Sequence, residues 1–146
     1  MSSRQRVIII TGANTGLGFS LCQTLASPDT TIIMACRDIS KAKQAISDMN
    51  IEEDSKKLLI PMKLNLANQA SVRECAAKIH SDYPEGINIL VNNAGVYAIG
   101  NPTRMETDDG HELHFGTNHL GHFTFTLMLL DLLQFDEYSK IIHRFF

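Results

Sequence analysis

Little in this 146-residue chain invites a covalent or metal staple. Its three cysteines, Cys22, Cys36 and Cys75, are odd in number, and none stands in a C-x-x-C pair. That argues against a disulfide framework and fits reduced thiols inside a cell. Charge of one sign is missing too: 13 Lys and Arg against 16 Asp and Glu leave a net charge of −3. A nucleic-acid binder carries a basic face, so no nucleic-acid partner is expected. No apolar run is long enough to span a bilayer, since the most apolar stretch, "FTFTLMLLDLL", is short and interrupted by Asp131. The start, "MSSRQRVIII", has no long apolar core followed by a small-residue cleavage site, hence no signal peptide is read there. An intracellular, cytoplasmic protein is expected. Repeats and low-complexity linkers are absent as well, and the length suits a single domain over residues 1–146.

What is present is an alternation of short β-branched runs with longer helical stretches. The composition, 44% apolar and 20% charged, is ordinary for a globular chain. "RVIIIT" at 6–11, "TTIIMAC" at 30–36, "KLLIPMKLNL" at 57–66, "INILVNN" at 87–93 and "KIIHRFF" at 140–146 read as strands. They are almost wholly apolar rather than alternating, as strands covered on both faces are. Pro61 suggests that the third is an edge or carries a bulge. Helices are expected over 16–27, with Leu17, Leu21 and Leu25 on one face, and over 38–50, with Ile39, Ala42, Ala45, Ile46 and Met49 recurring. A third, over 68–83, turns Val72, Cys75, Ala76 and Ile79 inward. A long fourth helix, 107–133, is expected to begin at a Thr107 cap with Asp108 and Asp109 in its first turn, and to bury a stripe of Leu113, Leu120, Phe123, Leu127 and Leu130. Strand and helix repeated in this way predict an α/β fold, a doubly wound (Rossmann-like) parallel sheet with helices on both faces. Ligands of such sheets bind outside the carboxyl ends of the strands.

The stretch "TGANTGLG" at 11–18 joins the first strand to the first helix and places Gly12, Gly16 and Gly18 within seven residues. It is no P-loop, because no Gly-Lys-[Ser/Thr] follows, and its spacing is G-x-x-x-G-x-G rather than G-x-G-x-x-G. By itself it could be only a flexible corner. At the start of a helix, however, free N–H groups and the helix dipole bind a pyrophosphate, and glycines let it approach. At the end of strand two the chain reads "ACRD". Arg37 offers a cation for a ribose 2′-phosphate and Asp38 an acceptor for a free 2′-hydroxyl. Arg37 lies nearer the strand end, which favours NADP(H) over NAD(H); a plain Arg–Asp surface pair is the structural alternative. "NNAG" at 92–95 closes strand four, beside strand one, where the other half of a dinucleotide would lie. The histidines His111, His114, His119 and His122 crowd onto one stretch, but H-E-x-x-H would need His at Phe115, and no metal site is expected.

"TGANTGLG", "ACRD", "NNAGV" and "TNHLGHF" (117–123), in this order and spacing, resemble the short-chain dehydrogenase/reductase family over residues 6 to about 142. The segments "IIMACRD" and "DGHELHFGTNHLGHF" most resemble its retinol-dehydrogenase and protochlorophyllide-reductase-like branches, which favour NADP(H). The resemblance implies roles. Gly12, Asn14, Thr15, Gly16, Leu17 and Gly18 would wrap the pyrophosphate and adenosine ribose, and Arg37 would take the 2′-phosphate. Asn65 and Leu66 would border the adenine, with Asn65 standing where the family usually has Asp. Asn92, Ala94 and Gly95 would line the nicotinamide ribose. Asn118 matches the family's catalytic Asn, whose main-chain carbonyl holds a water in a proton relay.

The resemblance also implies parts that are not here. The family's chemistry needs a Ser after strand five and a Tyr-x-x-x-Lys, in which Lys lowers the Tyr pKa while hydride passes between nicotinamide and substrate. Tyr83 is followed four residues on by Ile87, Tyr97 by Asn101 and Tyr138 by Ile142. The expectation is therefore a truncated member that keeps the cofactor half, acting on a small apolar alcohol or carbonyl only if completed. Without covering helices, the 107–133 helix and the edge of strand five would be left to recruit a copy or a full-length relative as an interaction fragment.

Overall fold

The computed structural model describes residues 5–98, 100, 103–133 and 139–144. Five strands form one parallel sheet: β1 (Arg6–Thr11), β2 (Thr30–Cys36), β3 (Leu59–Lys63), β4 (Ile89–Asn92) and β5 (Lys140–His143), in the order β3-β2-β1-β4-β5. Between them run α1 (Gly16–Leu25), α2 (Ile39–Asp48), the single turn α3 (Glu53–Lys56), α4 (Gln69–Asp82) and α5 (Gly121–Leu129). The all-apolar strands are explained by two cores, one on each face. Ile8, Ile10, Ile32, Met34 and Val91 point to one side and pack with Cys22 of α1 and Ala42 and Ala45 of α2. Ile9, Ile33, Ala35 and Leu90 point to the other and pack with Val72, Cys75, Ala76 and Ile79 of α4 and Phe125 and Leu129 of α5. Successive residues of a strand thus serve opposite cores, which is the period-two geometry of a pleated chain. Pro61 sits on β3, an outer strand, where its missing N–H breaks no ladder.

The chain runs outward from β1 to β3 and then returns to lay β4 on the other side of β1. At that reversal the helices that follow β1 and β4, α1 and α5, cover opposite faces of the sheet and leave a crevice at the carboxyl ends.

Three expectations fail in this region. The buried face of α1 is Gly18 and Cys22, not the Leu17–Leu21–Leu25 stripe; Leu17 and Leu25 are exposed. A helix pressed this closely on its strand buries its small residues. The long helix does not begin at Thr107, which lies in a turn closed by its N–H on the His111 carbonyl at 2.8 Å. Helical structure starts at 113, passes through a π-helical turn (Phe115–Leu120) and ends in a 3₁₀ turn (Leu130–Leu132). Asp108 and Asp109 do stand at a helix N-terminus, but at that of α4: Asn68 Nδ2 donates to Asp108 at 2.9 Å, and the Gln69 N–H donates to Asp109 at 2.8 Å. Of the expected stripe, Phe123, Leu127 and Leu130 face outward, while Gly121, His122, Phe125 and Leu129 are buried. Phe145 and Phe146, read with the fifth strand, lie outside the described residues.

Candidate functional site

The crevice holds a cleft of about 510 Å³. Its floor is the loop after β1. Gly12 turns with φ 63°, and its N–H donates to the Ala35 carbonyl at 2.9 Å, strapping the loop to β2. A Cβ there would lie 2.9 Å from Ala94 Cα, so only glycine lets the loops after β1 and β4 meet. Gly16, with φ 54°, opens α1 and has no neighbouring atom within 4 Å of where a Cβ would stand. Thr15, the N-cap of α1, makes no side-chain capping bond, leaving the first-turn N–H groups to another acceptor. Gly18 is not on the cleft surface. It packs α1 onto the loop, with room for no side chain against the Gly12 carbonyl.

One wall comes from the end of β2. Arg37, Asp38 and Lys41 line it together. The Asp38 carboxylate caps α2, accepting from the Ser40 N–H at 2.9 Å, the Lys41 N–H at 3.2 Å and the Ser40 hydroxyl. These bonds, the Ser40 hydroxyl foremost, hold its carboxyl below the usual range. Lys63 Nζ donates to the Arg37 carbonyl. Asn65 and Leu66 continue this wall after β3, and Asn65 Oδ1 accepts from the Ala67 N–H at 3.1 Å to shape the turn.

The opposite wall is the segment after β4. Asn93 Nδ2 donates to the Thr11 carbonyl at 2.9 Å, and Thr11 Oγ1 accepts from the N–H groups of Asn93 and Ala94. Asn118 grips Val96 at both backbone groups: Oδ1 accepts from the Val96 N–H at 2.7 Å and Nδ2 donates to its carbonyl at 2.9 Å. Further out, the Ala98 N–H donates to His114 Nε2 at 3.1 Å.

Of the residues singled out in the sequence, the fold brings Gly12, Asn14, Thr15, Gly16, Leu17, Arg37, Asn65, Leu66, Ala94 and Gly95 to one cleft. Asn92 is turned away. Its Nδ2 donates to Thr126 Oγ1 at 2.9 Å and faces His143 Nδ1 at 3.3 Å, tying β4 to α5 and β5. Asn118 reaches the wall through Val96 rather than by lining the cleft. Sequence reasoning missed Asn93, whose neighbour was chosen instead, and Lys41, one turn into α2. It also missed Arg144, whose Nη1 lies 3.4 Å from Asn93 Oδ1. The period-two alternation along β4 could have separated Asn92 from Asn93; nothing local marks Arg144.

The family model for short chain dehydrogenase matches residues 6–143. The chain is 43% identical over 138 residues to retinol dehydrogenase 13 of Homo sapiens, covering 94% of this chain and 40% of that protein. It is 36% identical to retinol dehydrogenase 12 of Homo sapiens, again over 94% of this chain and 42% of that protein. The chain thus spans about two fifths of the length of these curated relatives. Among solved structures, menthone neomenthol reductase from Mentha piperita superposes with a TM-score of 0.78 at 25% identity, over 97% of this chain and 60% of that one. In none of these helices is a stretch long and apolar enough to cross a membrane, among the described residues. A family match that opens on the first residue of β1 and closes on the last of β5 takes in the whole described sheet: the chain belongs to the short chain dehydrogenase family.

Proposed function

We propose that this chain binds a nicotinamide dinucleotide in the cleft, takes NADP(H) in preference to NAD(H), and does not turn over an alcohol or carbonyl by itself. The observation that carries the NADP(H) reading is the pair of cations beside the Asp38 cap. Asp38 Oδ1 is engaged at the N-terminus of α2, and Arg37 and Lys41 line the same wall, where they would meet a ribose 2′-phosphate. The residues present fit the group. The open space over Gly16 and the uncapped first turn of α1 suit a pyrophosphate. Thr117, on the cleft wall, has a buried hydroxyl with no partner among the described residues, which a polar ligand atom would satisfy.

Gly12, Asn14, Thr15, Gly16 and Leu17 would surround the pyrophosphate and adenosine ribose, and Arg37 the 2′-phosphate. Asn65 and Leu66 would flank adenine. Ala94 and Gly95 would meet the nicotinamide ribose, with Asn92 and Asn118 holding that wall in place. When bound, the nicotinamide supplies hydride transfer. No Tyr-x-x-x-Lys occurs in the 146 residues to hold or move the accompanying proton. Calorimetric titration tests the reading: NADPH binds more tightly than NADH, and Arg37→Ala weakens NADPH more than NADH. No heat from either cofactor with folded protein defeats it, and steady NADPH consumption with a panel of aldehydes defeats the inactivity claim.

A second reading, a non-catalytic interaction fragment, is favoured by one observation. Phe115, Phe123, Leu127 and Leu130 are exposed along the last helix, and Ile141 and Ile142 are exposed on the outer strand β5. A monodisperse monomer in size-exclusion chromatography, with no binding of an apolar dye, removes it.

A further inference from the structure

Thr11, the last residue of β1, has its hydrogen bonds almost fully specified. Its oxygen accepts from two backbone N–H groups, Asn93 at 3.0 Å and Ala94 at 2.9 Å. Both lone pairs are then in use, and one hydroxyl hydrogen is left to place. The Val91 carbonyl lies at 3.5 Å, the limit of reach, whereas His122 Nε2 lies at 2.9 Å. The hydrogen belongs on the line to His122. Nε2 then accepts, and the imidazole proton sits on Nδ1, which faces the Asn118 carbonyl at 3.0 Å. The opposite tautomer would aim a nitrogen lone pair at that carbonyl oxygen and an N–H at a hydroxyl oxygen with no lone pair to give.

His122 therefore stands between two anchors of one segment. Thr11 holds Asn93 and Ala94, and Asn118 holds Val96 at both its N–H and its carbonyl. We propose that His122 is a positioning residue: a neutral imidazole, protonated on Nδ1, that couples these anchors and so sets the wall of the cleft after β4. Its surroundings oppose a cation. The side chain is buried on α5, and His143 of β5 and His119 of the preceding turn both disfavour its charging. The guanidinium of Arg144 stands on Asn93, on the same side of the sheet's end.

The proposal rests on the nucleotide-binding reading only for its affinity readout. In the full chain, nitrogen-15 NMR at neutral pH should show the Nδ1–H tautomer of His122; the Nε2–H tautomer or an imidazolium overturns the proposal. In His122→Leu, amide exchange at Ala94 and Val96 should quicken by about tenfold, the effect of one lost hydrogen bond, while the β1–β2 ladder is unchanged. His122→Asn keeps an N–H where Nδ1 stood, so it should restore protection at Val96 and not at Ala94. Unchanged exchange at both positions in both variants also overturns the proposal, and His122→Asn carries this arm alone if the leucine variant fails to fold. NADPH affinity should fall by about tenfold in His122→Leu. Affinity unchanged in a folded variant defeats the positioning role and leaves nucleotide binding standing. If the wild-type chain binds no NADPH, the nucleotide reading falls, and tautomer and exchange still decide the role of His122.

Discussion

Gly18 and Asn93 stand against each other across the first loop: a Cβ on Gly18 would lie 2.7 Å from Asn93 Nδ2, the nitrogen that donates to the Thr11 carbonyl at 2.9 Å. The same Cβ would lie 2.4 Å from the Gly12 carbonyl oxygen. Neither neighbour can give way cheaply, because one is backbone and the other is fixed by its own bond. Gly18→Ala is thus expected to lower stability by about 1–3 kcal/mol, the range for overpacking a close contact. Urea unfolding checks it, and a midpoint equal to wild type would refute it.

The join between α4 and the 107–111 turn depends on Asn68. Its Oδ1 accepts from the Ser71 N–H at 2.9 Å, and its Nδ2 donates to Asp108. Asn68→Ala should cost about 1 kcal/mol for the lost cap. Part of the loss should also appear as faster amide exchange in the 107–111 turn, which Asn68 tethers, and not only in α4.

How much of this was legible follows from what each segment answers to. The strands were legible because β1 and β2 are buried on both faces, and such strands read as unbroken apolar runs. The inward set of α4, Val72, Cys75, Ala76 and Ile79, was legible because that helix packs an ordinary amphipathic face. The faces of α1 and of the last helix were not. There the glycines decide: Gly18 admits the Gly12 carbonyl, and a Cβ on Gly121 would lie 2.4 Å from the Leu66 carbonyl oxygen. On α1 close backbone approach buries the small residues and leaves Leu17 outside, so a periodicity of large apolar side chains points to the wrong side. On the last helix large apolar residues lie on both sides, and Gly121 sets which face turns in: Phe125 and Leu129 are buried while Phe123 and Leu127 are outside. Asp108 and Asp109 were misplaced for another reason: the helix end they serve lies 40 positions away in the chain, and no local pattern reports it.

Acid should weaken the fold in two steps. Burial first, then the neighbouring His143 and His119, pushes the His122 imidazole below its ordinary 6.5, while the bond to the Asn118 carbonyl works in the other direction. The unfolded chain takes up that proton more readily, so this contribution is complete above pH 6.5 and drains as pH falls below it. Glu112 follows. It accepts from the Phe115 N–H at 2.7 Å and the His114 N–H at 3.0 Å, and these bonds hold its carboxyl down at about 2 from the ordinary 4.5. Its contribution is present above pH 4.5 and is lost as pH falls toward 2. Urea midpoints measured across this range should fall in both windows. His122→Asn should flatten the upper one and Glu112→Gln the lower; a wild-type midpoint constant from pH 6.5 to 4.5 contradicts the His122 assignment.

The cysteines should be silent toward thiol reagents in the native state. Burial pushes the Cys22 and Cys75 thiols up to about 12 and raises that of Cys36, so thiolate is scarce as well as enclosed. A colorimetric disulfide reagent should count no thiol in the folded chain and all three after denaturation. Rapid reaction of any one of them under native conditions would show that its core opens.

Gly16 offers the sharpest separation of fold from binding, because a side chain there would be strained by backbone conformation and not by crowding, as it would be at Gly18. Both lie in the first turn of α1, but a Cβ on Gly16 meets no atom within 4 Å, while its φ of 54° strains any other residue. Gly16→Ala should therefore cost about 1–2 kcal/mol from backbone conformation alone. The added methyl would stand in the space in front of the uncapped N–H groups of α1, where a pyrophosphate would sit. NADPH affinity should fall in Gly16→Ala under conditions where the variant is still fully folded. Gly18→Ala should lose stability by steric conflict instead, with its affinity loss tracking the unfolded fraction. Equal NADPH binding by folded Gly16→Ala and wild type would place the ligand somewhere other than the mouth of α1.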